Sequence, residues 1–536
     1  MEKKAKLTVD RAYRIGEVDR RLFSAFLEPI GPTVSGGYFR PGHPASDEEG
    51  FRKDVLDAVR ELGIPAIRLP GGNFVSGYDW RDSIGPKEGR KAFLDLAWRQ
   101  VEENRVGLDE YMDWCRKAGA DPLYTLNLAT LDLRASANCV EYCNHPGGTY
   151  WSDLRRKYGH EAPYGVKTWY MGNEPDGPWE IGSMSARDYG RKAREMAKMI
   201  KWICPDNEAV VCGSSSPLLR SHPDWDVEVL DQCYELVDYI GIHQYHLAPM
   251  GDVAQMMAGS ELMEEFIRTT ISACDLIKAK YRHPRKMMIS FDEYGLGFSR
   301  EKVAPHPGRG GRIPNEVFGE FTPENYNHPF RVFPADYDPE KPVPPRRRGP
   351  EGMNPMIGAL GAASSLLLML KYADRIRIAV MTGGLGAVGY DDEKTWKNPT
   401  WYILSDLIRS AGGTALIPAL ETPTYRTEGF NINDFHQALP YESVPYIQAA
   451  SVESGDGEEV TVYAANRSEK EDIPFEIDVR ELEGFRLEGQ TVLDSPAGGA
   501  PAPHAAAASF EGGRVSAVLP KLSWNVFTFR KGPART

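Results

Sequence analysis

The chain has 536 residues, with 63 Lys and Arg against 76 Asp and Glu and a net charge of −13. Its length predicts two to four domains, or one large barrel with a companion, and its 41% apolar and 10% aromatic content excludes a mainly disordered chain. The negative balance excludes nucleic acid or an anionic membrane as the principal partner, because neutralising phosphates takes a basic surface, and a neutral ligand is expected. Seven cysteines, at 115, 139, 143, 204, 212, 233 and 274, form an odd set without CxxC spacing, which suits a reducing compartment. MEKKAKLTVDRAYRIGEVD at the N-terminus lacks an apolar leader region, and the longest apolar run, Leu366–Leu370, is too short to span a bilayer. A cytoplasmic protein is expected.

KAKLTVDRAYRIGEV, residues 4–18, alternates apolar and polar residues as a half-buried strand does. From Leu22 to Met381 eight nearly continuous apolar runs follow: LFSAFLE (22–28), AIRLPGG (66–72), PLYTLNLA (122–129), KTWYMGNE (167–174), AVVCGSS (209–215), YIGIHQYH (239–246), MMISFDEYG (287–295) and RIRIAVMTGG (375–384). Runs of this kind mark strands buried on both faces of a parallel sheet. Between them lie amphipathic stretches such as 48–63, 106–119 and 185–203, and the apolar stretch 354–373. Eight βα units predict a (β/α)8 barrel. A doubly wound sheet is the alternative, but the first strand is not followed by a Gly-rich dinucleotide fingerprint.

A last helix is predicted at 400–413. Beyond it EEVTVYAANRS, FEIDVREL, GQTVLD and SWNVFTFRK alternate between turn signals, as strands of an antiparallel sandwich do. The expected organisation is a catalytic barrel over 19–413 and a jelly-roll-like β-sandwich from 1–18 and 414–536, with the N-terminal strand pairing into the C-terminal sheet. PAGGAPAPHAAAAS (496–509) reads as a low-complexity surface loop. Residues 301–350 hold eleven prolines and the basic cluster Arg346–Arg348, a composition that resists helix and central strand; this insertion is expected beside the barrel mouth.

Catalytic groups of such barrels project from the C-terminal strand ends. Here those ends carry Glu28, Arg68 with Asn73, Asn127, Asn173 with Glu174, Ser214, His243 with Tyr245 and His246, and Asp292 with Glu293. An unpaired buried carboxylate costs several kcal/mol, so glutamates closing apolar strands four and seven point to a common purpose. Two carboxyl groups about 5 Å apart across one mouth are the apparatus of a retaining glycosidase. No His, Cys or Asp cluster shows metal-ligand spacing, and His243 and His246 face opposite sides of a strand; neither metal nor cofactor is expected.

With these motifs the chain resembles the family 51 α-L-arabinofuranosidases, retaining glycoside hydrolases with an acid/base glutamate after strand four and a nucleophile after strand seven. The landmarks are IRLPGGNFVSGYDWRDSIGP (67–86), LDLAWRQVEENRVGLDEYMDWC (94–115), NCVEYCN (138–144), GNEPDGPW (172–179), GIHQYH (241–246), SFDEYG (290–295) and LKYADRIRIA (370–379). The resemblance implies a barrel with a β-sandwich, Glu174 as acid/base and Glu293 as nucleophile. It implies Asn173 as a holder of the sugar 2-hydroxyl, Tyr245 as a hydrogen-bond donor to the nucleophile with His243 beside it, and Glu28, Arg68 and Asn73 as residues that grip furanose hydroxyls or orient the nucleophile. Trp98, Trp179 and Trp80 are candidates for stacking on sugar faces, with core packing as the alternative for each.

The sequence departs from the family pattern at Tyr294 and Gly295 after the nucleophile, at Gly297 in place of a second tryptophan, and at Gly383 in place of a glutamine near the end of strand eight. The function read is release of terminal α-L-arabinofuranosyl residues from arabino- or arabinoxylo-oligosaccharides. The same machinery on a galactofuranoside, a D-arabinofuranoside or a β-glucan is the alternative within enzymes, and a non-catalytic carbohydrate-binding relative is the alternative outside them. The resemblance also implies a homo-oligomer.

Overall fold

The computed structural model describes residues 3–31, 33–98, 100–299, 354–433, 436–495 and 500–532. Eight parallel strands close into a barrel: β1 Ser24–Phe26, β2 Ala66–Leu69, β3 Asp121–Leu126, β4 Thr168–Met171, β5 Glu208–Cys212, β6 Tyr239–Pro249, β7 Met288–Ser299 and β8 Ile376–Met381. Each falls on one of the eight predicted runs. Every strand pairs with its sequence neighbour, and β8 closes on β1 through Val380 opposite Ser24. The inward layer includes Phe26, Leu123, Tyr170, Val210 and Ile378, so the lumen is packed and not a pore, and the outward face is covered by helices.

The helices follow from their apolar spacing. Lys53–Leu62 buries Val55, Leu56, Val59 and Leu62 and stops at Gly63, whose φ of 76° is left-handed, as a helix C-terminus favours. Ala186–Ile203 is capped by the Ser185 side chain, which accepts from the Asp188 N–H. Met356–Leu370 is buried on nearly every face because it packs both on β7 of the barrel and on strands Ile447–Glu453, Glu459–Asn466 and Ser523–Lys531 of the C-terminal sheet. The apolar run Leu366–Leu370 is thus a helix enclosed between two layers, and among the described residues no helix is long and apolar enough to cross a membrane.

Two sheets form the C-terminal region. One runs Ala419–Glu421, Ala5–Thr8, Ile473–Asp478, Arg514–Leu519, Ser509–Glu511, and the other Arg14–Glu17, Thr414–Leu416, Ile447–Glu453, Glu459–Asn466, Ser523–Lys531, Phe485–Asp494, Ala502–Ala506. Leu7, Val462, Phe475 and Phe527 meet in the core between them. The N-terminal segment therefore supplies one strand to each sheet: Leu7 stands opposite Leu420 and Ile477, and Gly16 opposite Ala415. This region docks on helix Pro399–Ile408, where Trp524 donates to Asp406 Oδ2 at 2.9 Å and stacks on Tyr463 at 5.6 Å.

The segment expected as a loop at 496–509 is strand over Ala502–Ala506, an exposed edge paired with Phe485–Asp494. An edge has a partner on one side alone, so Pro503 and a run of alanines are tolerated there. The Pro-rich 301–350 insertion lies outside the described residues.

Leu7→Ala is expected to lower stability by about 2–5 kcal/mol, the usual cost of emptying a buried leucine site, because Leu7 is fully buried between its two partner strands. A urea midpoint unchanged from wild type would show that the N-terminal strand does not belong to the packed core.

Candidate active site

Arg68 stands at the centre of the barrel mouth. It is the third residue of β2, 1% exposed, and its guanidinium lies 5.0 Å from the Tyr170 ring centre and 5.3 Å from that of Phe26. Nη1 donates to Glu293 Oε1 at 2.6 Å and Nη2 to Asn173 Oδ1 at 3.0 Å; Asn173 Nδ2 in turn donates to Asn73 Oδ1 at 3.1 Å. The chain leaves β2 through Gly71 and Gly72, and both glycines are needed. Gly71 has a φ of 127°, and a β-carbon on it would run into Glu28; one on Gly72 would stand 2.6 Å from Glu293 Oε1. With no side chain there, the backbone N–H of Gly72, and that of Phe74 beyond it, reach Glu28 Oε1 at 3.1 and 2.9 Å.

Consecutive residues on a regular strand face opposite sides, so Asp292 and Glu293 should not share the lumen. A bulge in β7 removes the conflict. Ile242 of β6 pairs with Phe291, but the next residue, His243, pairs with Glu293, and the register with β8 shifts at the same place. Such an extra residue bends the strand and re-aims its side chains. Glu293 thereby meets Arg68 and the Tyr245 hydroxyl, which donates to Oε2 at 2.7 Å, while Asp292 Oδ2 lies 3.4 Å from His243 Nε2.

Glu174 follows Gly172 at the end of β4 and is itself held at a φ of 40°, a left-handed conformation that is strained for a residue with a side chain and is most often found at functional sites. Its Oε1 is 2.8 Å from His243 Nδ1, and its Oε2 accepts from the Trp179 indole N–H at 2.5 Å. One carboxylate oxygen from Glu174, one from Glu293 and a ring nitrogen of His243 all lie within 4.8 Å of one another.

The charges are set by burial and partners. Burial raises the Glu293 pKa, but the His243 and Arg68 charges and the Tyr245 hydroxyl outweigh it, and the group lies below the usual glutamate range. Burial disfavours a charged His243, yet Glu293 and Asp292 carry its pKa well above the ordinary histidine value. Glu28 is pushed up to about 8 by burial and by negative Glu293, against the Phe74 and Gly72 N–H groups and the Trp98 indole. Glu174, His243 and Glu293 could together present three ligand atoms to a cation, but Arg68 already places a permanent positive charge against Glu293. Its guanidinium fills the electrostatic place of a metal.

Residues 58–259 match the family model described as "Alpha-L-arabinofuranosidase 1 domain", and residues 327–523 the one described as "Alpha-L-arabinofuranosidase C-terminal domain". The chain is 37% identical to the intracellular exo-α-(1→5)-L-arabinofuranosidase of Halalkalibacterium halodurans, over 98% of this chain and 99% of that one. This chain belongs to the α-L-arabinofuranosidase family of glycoside hydrolases. It is also 35% identical to the exo-α-(1→6)-L-arabinofuranosidase of Bifidobacterium longum, over 91% of this chain and 88% of that one. The solved structure of a family 51 α-L-arabinofuranosidase from Bifidobacterium longum superposes with a TM-score of 0.82 at 29% identity, covering 99% of this chain and 100% of that one.

In this α-L-arabinofuranosidase family member the mouth gathers Glu28, Arg68, Asn73, Asn173, Glu174, His243, Tyr245 and Glu293. Trp98 sits half-buried beside Glu28, next to the hairpin Phe93–Asp95 and Gln100–Glu102. Trp179 meets Glu174 through its N–H. Trp80 is elsewhere, buried 5.0 Å from Trp151 and 5.4 Å from Tyr142, with its N–H on the Ala135 carbonyl at 3.1 Å; it is core. His246 turns away and contacts the Gln255 carbonyl at 2.9 Å. Gly383 has a φ of 76° with open space where a β-carbon would stand, and Gly297 lies beside Leu247 on the β6–β7 ribbon.

Two residues at the mouth escaped the strand-end reading. Glu180, six residues after Glu174, is buried and accepts from the Ser76 hydroxyl; burial and negative Glu174 raise its pKa well above the usual value. Thr382, one residue past β8, contacts the Tyr245 hydroxyl.

The raised Glu28 pKa has a consequence for stability. The folded protein keeps this proton to higher pH than the unfolded chain, whose glutamates titrate near about 4.3, so the contribution is full below that value and is lost as pH rises through about 8. Relative to wild type, Glu28→Gln should therefore be less destabilising at pH 8.5 than at pH 5.5 in urea unfolding. Equal destabilisation at both pH values would contradict a proton on folded Glu28.

Proposed function

We propose that the protein is a retaining, exo-acting α-L-arabinofuranosidase that trims terminal arabinofuranosyl residues from arabino- or arabinoxylo-oligosaccharides, with Glu174 as acid/base and Glu293 as nucleophile. The observation that carries this reading is the approach of the two carboxylates: their nearest oxygens lie within 4.8 Å, in keeping with the separation of about 5–5.5 Å used for attack by a carboxylate and too short for an intervening water.

Glu293, kept ionised by Arg68, His243 and Tyr245, attacks the anomeric carbon while Glu174 gives its proton to the departing glycosidic oxygen. The bond to the leaving sugar breaks and an ester to Glu293 forms. With the Glu293 charge consumed, Glu174 loses its negative neighbour and takes a proton from water, whose oxygen attacks the same carbon and frees Glu293. Trp179 and His243 hold the two Glu174 oxygens in place. Asn173, fixed between Arg68 and Asn73, is set to bond the sugar 2-hydroxyl, with Glu28 to grip furanose hydroxyls and Trp98 beside it to stack on the sugar. Residues 19–413 form the catalytic unit in this reading, and 1–18 with 414–536 its sandwich companion. The protein is read as cytoplasmic, in line with relatives whose names say intracellular, and as a homo-oligomer. A second reading, the same machinery on a galactofuranoside, a D-arabinofuranoside or a β-glucan, is favoured by the departures from the family pattern at Gly297 and Gly383.

On an aryl α-L-arabinofuranoside, Glu293→Ala is expected to lose about 10⁴-fold or more in kcat/KM, and Glu174→Ala about 10²- to 10⁴-fold, with azide restoring part of the Glu174→Ala rate as a glycosyl azide. A Glu293→Ala protein close to wild type would sink the reading. Comparable turnover of an aryl galactofuranoside would move the glycone assignment to the second one.

A further inference from the structure

Tyr245 has one hydroxyl hydrogen, and Glu293 Oε2 takes it at 2.7 Å, since a carboxylate can accept but not donate. Thr382 Oγ1 stands 2.7 Å from the same phenol oxygen. The direction of that second bond is therefore forced: Thr382 donates and Tyr245 accepts. Burial and negative Glu293 keep the Tyr245 phenol protonated, with its pKa well above the usual value. Thr382 is not a loose loop residue. It follows directly on β8, and its backbone N–H is held by the Tyr294 carbonyl of β7 at 3.2 Å, so its hydroxyl is aimed by the strand that also carries Glu293.

We propose that Thr382 is a positioning residue for the nucleophile, the outer link of a one-way donor chain from Thr382 through Tyr245 to Glu293. A hydroxyl that accepts a hydrogen bond donates a stronger one. Thr382 thereby strengthens the Tyr245 bond to the Glu293 carboxylate, favours its ionised form and fixes Oε2. This rests on the reading of Glu293 as nucleophile. Glu293 is also faced by Arg68 from β2, Glu174 beyond β4, His243 from β6, its neighbour Asp292 and, after β1, Glu28; Thr382 acts on it through Tyr245.

The test is kcat/KM against pH for wild type, Thr382→Val, Thr382→Ser, Tyr245→Phe and the Thr382→Val/Tyr245→Phe double variant, with Glu293→Ala alongside. Thr382→Val should move the acidic limb to higher pH by a few tenths of a unit or more, because Glu293 becomes easier to protonate, and should lower kcat/KM about 3- to 10-fold, the effect of one neutral hydrogen bond. Thr382→Ser should stay within about two-fold of wild type. In the Tyr245→Phe background Thr382→Val should add nothing, as coupling through Tyr245 requires. An unmoved acidic limb, or the same loss with and without Tyr245, would overturn the proposal and leave Thr382 a packing residue. If Glu293→Ala is inactive while Thr382→Val behaves as wild type, the proposal alone fails; if Glu293→Ala is active, the nucleophile assignment fails and takes the proposal with it.

Discussion

A permanent positive charge, buried to 1% exposure at Arg68, is the constraint around which this mouth is built. A guanidinium cannot shed its proton, and an uncompensated buried charge is too costly to keep. The barrel must therefore bring a carboxylate to it. Glu293 reaches it through the β7 bulge, and Gly72 leaves the space into which the Glu293 oxygen fits. Well-packed apolar residues often serve stability as well as a buried ion pair does. What this pair secures is a carboxylate that stays ionised in a dry site.

The remaining carboxyl groups separate by environment. Glu293 has Arg68, Tyr245 and His243 and is held ionised. Among the described residues Glu28 and Glu180 have N–H or hydroxyl partners and no cation, and burial raises both. Glu174 is tied to His243 on one oxygen and to Trp179 on the other, on a backbone at a left-handed φ. Pushing titratable groups apart by environment is how one site comes to hold both an acid and a base. The strained Glu174 backbone, two close-approach glycines and the bulge all lie within this one mouth.

The barrel was legible because both faces of its strands are covered, which makes each run nearly continuous in apolar residues; Tyr170 and Val210 point in while Trp169 and Val211 pack outward. The glutamate pair was legible because a carboxylate at the end of such a run has no structural reason to be there. What stayed hidden depends on geometry that strand periodicity does not encode. Simple alternation places Asp292 on the lumen side with Met288 and Ser290 and sends Glu293 outward with Phe291, and the bulge returns Glu293 to the lumen. Thr382 became visible once Tyr245 had a position in space. Trp80 follows a substrate-gripping motif in the chain, yet the 3-10 turn Trp80–Ser83 points it into an aromatic cluster with Tyr142 and Trp151. Ala502–Ala506 reads as low complexity because an edge strand needs backbone pairing more than apolar side chains.

The central claim is that Arg68 and its neighbours present Glu293 as an ionised nucleophile within direct reach of the sugar. The anomer of the first product formed tests it most directly, followed by proton NMR during rapid hydrolysis of an aryl α-L-arabinofuranoside before mutarotation. Two displacements through a Glu293 ester predict α-L-arabinofuranose first, with the β-anomer growing in later. The β-anomer first would mean a single displacement by water, which contradicts a covalent role for Glu293.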